Sequence, residues 1–315
     1  MKTSSVTPAD LRGSVLAVPP MPRKADGAIH AEANRRVLDH LRAGKVTTFM
    51  YGGNANFYNL GIAELGRVLD ALTPVLAAND WLIPSVGADY GKAAEQIDLL
   101  RERAFPTAMV LPLRFPGTPA GAASGIRKLA DRYGRPVIAY VKDEGYIHNA
   151  DVAALVKDGA VCAVKYAIVR DDPKHDAVLA DLVQKMGTDL IISGIGERPV
   201  IDHFRSFGLR AFTSGSTCVA PALSNRIREA LHANDDATAA KTRELFMPLE
   251  DARDKYSPIR ILHAAVELAG IAPTGPIGEF LSTIDDAKVL AELKGIAVAL
   301  LAHNQSAVEG VRNAA

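Results

Sequence analysis

Two residues of this sequence could share a covalent reaction. Lys165 ends the apolar run "AVCAVK" (160–165), and Tyr140 stands near the end of "PVIAYV" (136–141). Burial disfavours the charged form of an amine, so a lysine at the tip of a dry run is either paired, reaching for water, or wanted as a neutral nucleophile. A neutral amine attacks a ketone, and loss of water leaves an iminium that withdraws electrons from the neighbouring carbons. A phenol beside it can carry the protons of those steps. The glycine-rich stretch "YGGNAN" (51–56) offers backbone N–H groups and the amide of Asn54, which suit a carboxylate. A plain glycine turn is the alternative for that stretch, and a lysine reaching solvent is the alternative for Lys165.

For these residues to meet, the chain must bring several strand ends together. Eight β-rich runs do so in the pattern: 14–18, 46–51, 81–86, 108–113, 136–141, 160–165, 189–194 and 210–214, alternating with amphipathic stretches such as "IAELGRVLDALTPVLAA" and "HDAVLADLVQKMG". Apolar runs without alternation suit strands buried on both faces. The rhythm predicts an α/β fold, a (β/α)8 TIM barrel, whose active site lies at the C-terminal strand ends. Lys165 and Tyr140 would then share one mouth with Gly53 and Asn54 after strand two, with Ser193 and Gly194 ending strand seven, and with Thr213 on strand eight. An open doubly wound sheet is the alternative, but no G-x-G-x-x-G follows any strand. After strand eight only helical patterns remain. This divides the chain into a barrel, 1–234, and a C-terminal helical extension, 235–315, of about three helices.

Composition narrows the function. Lys and Arg number 36 against 36 Asp and Glu, giving no net charge and arguing against a nucleic-acid or membrane-surface partner. The two cysteines, Cys162 and Cys218, lie in apolar runs without disulfide or zinc spacing, and His148, His203 and His263 are scattered, so no metal is expected. No apolar run approaches a membrane span, and the expectation is a soluble, cytoplasmic protein. Glu197, just before Arg198-Pro199, reads as a residue favouring a helix N-terminus or touching a ligand.

The order of "GGNAN", "PVIAY", "VCAVK" and "GLRAFTSGSTCVAP" resembles the dihydrodipicolinate synthase / N-acetylneuraminate lyase superfamily, from "VLAVPPM" to "SPIRILHAAVELAGI". The resemblance implies an imine between Lys165 and pyruvate or a related 2-oxo acid, proton transfer by Tyr140, and contact of Thr213 with the bound oxo acid. It implies no cofactor beyond that imine, and a homotetramer built as a dimer of dimers. The sequence also departs from the family pattern. The strand-two loop usually reads G-[TS]-T-G-E, whereas Gly52 to Asn56 have lost the hydroxyls and the acid. The paired tyrosines expected after strand four are replaced by Pro112, Leu113, Arg114 and Phe115, where Arg114 meets an acidic group of the substrate or lies on the surface. The arginine expected after Tyr140 is absent from "YVKDEGYIHN". The expectation is a Schiff-base lyase or aldolase whose substrate differs from that of the lysine-biosynthetic synthase. The alternatives are a dehydratase or hydratase-aldolase of a sugar or aromatic 2-oxo acid, and a non-catalytic 2-oxo acid-binding barrel.

Overall fold

The computed structural model describes residues 1–312. Eight parallel strands close into one barrel in sequence order: β1 (Leu16–Ala17), β2 (Thr48–Tyr51), β3 (Trp81–Val86), β4 (Met109–Val110), β5 (Val137–Val141), β6 (Val161–Tyr166), β7 (Ile191–Ser193) and β8 (Ala211–Ser214). Each lies within or one residue beyond the run read from the sequence. The sheet is shorter than those runs at β1, β4 and β7, because the outer residues of each run leave the ladder for loops. The strands are buried on both faces, as unalternating runs of Val, Ile, Leu and Ala require.

The helices between strands are set by local signals. Asp89, Thr118 and Asp176 each accept a hydrogen bond from a backbone N–H of the first helical turn at 90–101, 119–133 and 177–186. Pro119 begins the second of these, where a missing N–H costs nothing. Gly134 and Gly208 end two helices in the left-handed conformation, at φ 67° and 74°.

Helix Pro221–His232 completes the barrel's outer layer. Beyond it stand four helices where about three were expected: Asp236–Glu244, Met247–Lys255, Pro258–Leu268 and Ala287–Arg312. Two short breaks, at 245–246 and 256–257, divide what reads as a nearly continuous polar helix. Pro258 begins the next helix with Ser257 as its cap. The extension packs on the barrel: Asn304 accepts from the backbone N–H of Ala222 at 2.8 Å. Among the described residues no helix is long and apolar enough to cross a membrane.

Candidate active site

The strand register decides which side chains share the mouth. On β5 and β6, Val137 pairs with Val161 but Ile138 pairs with Ala163, so one extra residue, Cys162, is accommodated in β6. Beyond this bulge Tyr140 lies opposite Lys165. Paired residues of neighbouring strands face the same side, and a slip of one residue reverses the face. Without the bulge Tyr140 would pair with Val164, and Lys165 would face away from it. The Cys162 thiol itself sits 3.4 Å from the Thr107 hydroxyl, and burial pushes its pKa up to about 11. It is a structural residue. On the opposite face of β6, the Tyr166 hydroxyl donates to Asp176 at 2.6 Å, clamping the strand to the helix that Asp176 caps.

Lys165 is 5% exposed, and its Nζ stands 4.4 Å from the centre of the Tyr140 ring. Burial, then the positive charges of Lys142 and Arg253, lower its pKa from 10.5 to about 7. The ring face attracts an ammonium by about 0.5–2 kcal/mol. That is less than the roughly 5 kcal/mol corresponding to the lowered pKa, so an appreciable neutral fraction persists at neutral pH. Burial, followed by the charge of Asp143, raises the Tyr140 hydroxyl to about 12, which keeps it protonated. A neutral amine therefore faces a protonated phenol.

Around this pair lies a cavity of about 300 Å³ lined by Gly53, Asn54, Tyr58, Thr213, Gly194, Arg253 and others. This is the small end of ligand sites, about 300–1,000 Å³. Asn54 reaches it from the turn after β2, with its amide donating to the Val18 carbonyl at 2.9 Å. Gly194 has a packing role. A Cβ there would meet the Lys165 Cγ at 3.0 Å and the Tyr166 carbonyl at 2.7 Å, so the space it leaves is taken by the lysine stem.

The structure thus brings Lys165, Tyr140, Gly53, Asn54, Thr213 and Gly194 together, and leaves out two residues. Ser193 is fully buried on the outward face of β7, its hydroxyl 2.8 Å from His203 Nδ1. Strand alternation turns its neighbour Gly194, and not Ser193, toward the mouth. Arg114 lies exposed on the loop after β4, outside the cavity. Glu197 neither starts a helix nor meets the cavity. It is fully buried, accepts from Ser214 at 2.8 Å and Ser224 at 2.5 Å, and burial beside Glu250 raises its pKa to about 7.

Several lining residues were missed in the sequence. Tyr58 brings a second phenol to the cavity from the short turn Phe57–Asn59, and Lys92 Nζ holds its carbonyl at 2.6 Å. Lys142 stands at the rim, and Glu250, Arg253 and Asp254 arrive from helix Met247–Lys255 of the extension. Arg253 is ion-paired with Glu250 at 2.8 Å, and the Ser216 hydroxyl donates to the same carboxylate. A tyrosine two residues past the glycine-rich stretch 51–56 was a visible signal. The helix 247–255 carried none, since its charges alternate as on any solvated face.

No protein-family model matches the sequence. The chain is 26% identical over 263 residues to a "probable 5-dehydro-4-deoxyglucarate dehydratase" of Rhizobium meliloti, covering 80% of this chain and 84% of the relative. A second protein of that description, from Streptomyces coelicolor, is 23% identical over 273 residues, covering 85% and 83%. Among solved structures, dihydrodipicolinate synthase from Oceanobacillus iheyensis superposes with a TM-score of 0.81 at 20% identity, covering 92% of this chain and 97% of that one. N-acetylneuraminate lyase from Mycoplasma synoviae gives 0.78 at 17% identity, covering 93% and 99%. These likenesses carry the fold, and the curated relatives carry the sequence kinship. In sequence the chain is similar to curated dehydratases, and in fold to a synthase and a lyase. The chain thus has the fold of the dihydrodipicolinate synthases and N-acetylneuraminate lyases of known structure.

Proposed function

We propose that this protein is a lyase of the class I aldolase type, that Lys165 is its Schiff-base residue and that its substrate is a 2-oxo acid. The observation that carries this is a dry amine, about half of it uncharged at neutral pH, set against a protonated phenol in a small cavity. The Lys165 Nζ attacks the ketone carbon, and Tyr140 returns a proton to the departing water. The iminium then acidifies the adjacent carbon, so that a carbon–carbon or carbon–oxygen bond further along can break. Gly53, Asn54 and Thr213 hold the carboxylate beside the ketone. Tyr58 supplies a second phenol to the proton path, in a pocket whose strand-four loop has none. The iminium is itself the electron sink, so the reaction requires no metal, nicotinamide or flavin. Exposed Leu113 and Phe115, 37% and 86% accessible on the β4 loop, support a homo-oligomer.

A second reading, dehydration of a sugar-derived 2-oxo acid through the same imine, is favoured by the names of the curated relatives, which match over most of the chain. Borohydride reduction with pyruvate and a panel of 2-oxo acids, followed by peptide mass mapping, tests the shared step. An adduct on Lys165 that vanishes in Lys165→Ala is expected. Binding of a panel member with no adduct would leave the non-catalytic barrel as the better account. Product analysis then separates the two reactions: release of an aldehyde marks aldol cleavage, and loss of water marks dehydration.

A further inference from the structure

We propose that the groove between helix Pro258–Leu268 and the segment 273–284 is a second ligand site, one that takes a small organic anion with an apolar body. The groove has a volume of about 810 Å³, larger than the cavity at Lys165. Its floor is one face of the helix: Arg260, His263, Ala264 and Glu267 recur at the three- and four-residue spacing of a single helical face. Pro258 and Ile259, at the start of the same helix, line the active cavity, and no residue lines both. The facing wall, 273–284, contains neither helix nor strand, yet it is tied along its length. Glu267 accepts from the Thr274 N–H and hydroxyl, each at 2.8 Å, and His263 Nε2 donates to the Gly275 carbonyl at 2.8 Å. Asn56 donates to the Glu279 carbonyl at 2.9 Å, and Arg260 Nε and Nη2 donate to the carbonyls of Ser282 and Thr283 at 2.6 and 2.9 Å. A loop of this length without structure of its own is usually either disordered or functional, and this one is held in place.

The charges of the groove are not balanced from within. Arg23 is offset by Glu64 at 2.7 Å, and the Glu267 carboxylate is spent on the loop. Arg260 is held by carbonyls alone, and among the described residues its Nη1 has no acceptor. Lys24 lines the same groove and makes no ion pair or side-chain hydrogen bond among the described residues. Two cations without a counter-ion therefore share one groove, whose remaining wall includes Leu268, Pro273, Pro276 and Ile284. An anion there gains charged hydrogen bonds from a guanidinium whose other edge is already fixed, and an apolar body covers the rest. The His263 ring is 3% exposed on this face, and its Nδ1 has no partner among the described residues. Native folds seldom leave a buried polar atom so.

The test follows the fluorescence of anilinonaphthalene sulfonate and of phenylnaphthylamine, which share a body and differ in the sulfonate, on addition of the full-length protein. Lys24→Glu reverses a charge that supports no contact of the fold, and Arg260→Gln removes the other. Each should weaken the sulfonate about tenfold or more and the neutral dye by less than about threefold. Ala264→Leu fills the floor and should weaken both dyes. Displacement by phenylacetate and by phenyl phosphate is then compared, and the stronger competitor tells whether a carboxylate or a phosphate head suits the site. Equal weakening of the two dyes by Lys24→Glu would leave only apolar adsorption, and would overturn the assignment. Displacement of the sulfonate by pyruvate would overturn it too, by placing the dye beside Lys165, and so would failure of both aromatic acids to displace it. Borohydride trapping of Lys165 is independent of every one of these results.

Discussion

Replacing Lys165 with methionine should make this protein more stable while abolishing its chemistry. The lysine ionises near 7 in the fold and near 10.5 when the chain is open. Because the folded value is the lower one, the unfolded chain binds more protons between those two values, and stability rises with pH across that window. At pH 7 the burden of the lysine on the native state works out to about 4 kcal/mol, and at pH 9.5 to about 1 kcal/mol. Methionine has a similar length and no charge to desolvate, so Lys165→Met should recover most of that difference. Urea unfolding of both proteins at equal concentration, at pH 7 and pH 9.5, reads it directly, provided the slope with denaturant is unchanged. The variant's advantage should shrink by roughly 2–3 kcal/mol between the two pH values. A destabilised variant, or an advantage that does not depend on pH, would refute the account of a dry amine whose pKa is lowered by burial.

Three further outcomes follow from the geometry. Tyr58→Phe should lower turnover by about ten- to a hundredfold while borohydride still labels Lys165 with pyruvate, since the phenol serves proton transfer and not the amine; unchanged turnover would remove Tyr58 from the proton path. Gly194→Ala should cost about 1–3 kcal/mol and reduce adduct formation, because the new methyl meets the Lys165 stem; melting and trapping measured together check it. His203, buried against Ser193, ionises near 4 where a free histidine does so near 6.5, so its contribution is present above 6.5 and fades as pH falls toward 4. Between pH 7 and 5 that amounts to about 2 kcal/mol, and His203→Gln should flatten this part of the urea-midpoint profile.

The barrel was legible because each strand is an apolar run bounded by turn residues, and such runs survive folding almost unaltered. Lys165 and Tyr140 were legible as chemistry, but their shared face was not. It depends on the extra residue at Cys162, and a bulge inside a uniformly apolar run leaves no mark in periodicity. The same blindness to phase put Ser193 in the pocket, when alternation gives the inward place to Gly194. Arg114, read as a substrate contact or a surface residue in the place of the family's tyrosines, is exposed and outside the cavity, as the second alternative had it. Arg253 was hidden for another reason. It sits on a helix with polar residues on most sides, and only the tertiary fold shows that one of those sides meets a cavity.

The wall supplied by helix Met247–Lys255 and the start of Pro258–Leu268 bears on the order in which the molecule is made. Lys165 and Tyr140 leave the ribosome long before Arg253 and Ile259, which close the cavity beside them. A chain that ends before residue 247 lacks Glu250, Arg253 and Ile259, and with them part of the wall around the amine and one of the charges that lower its pKa.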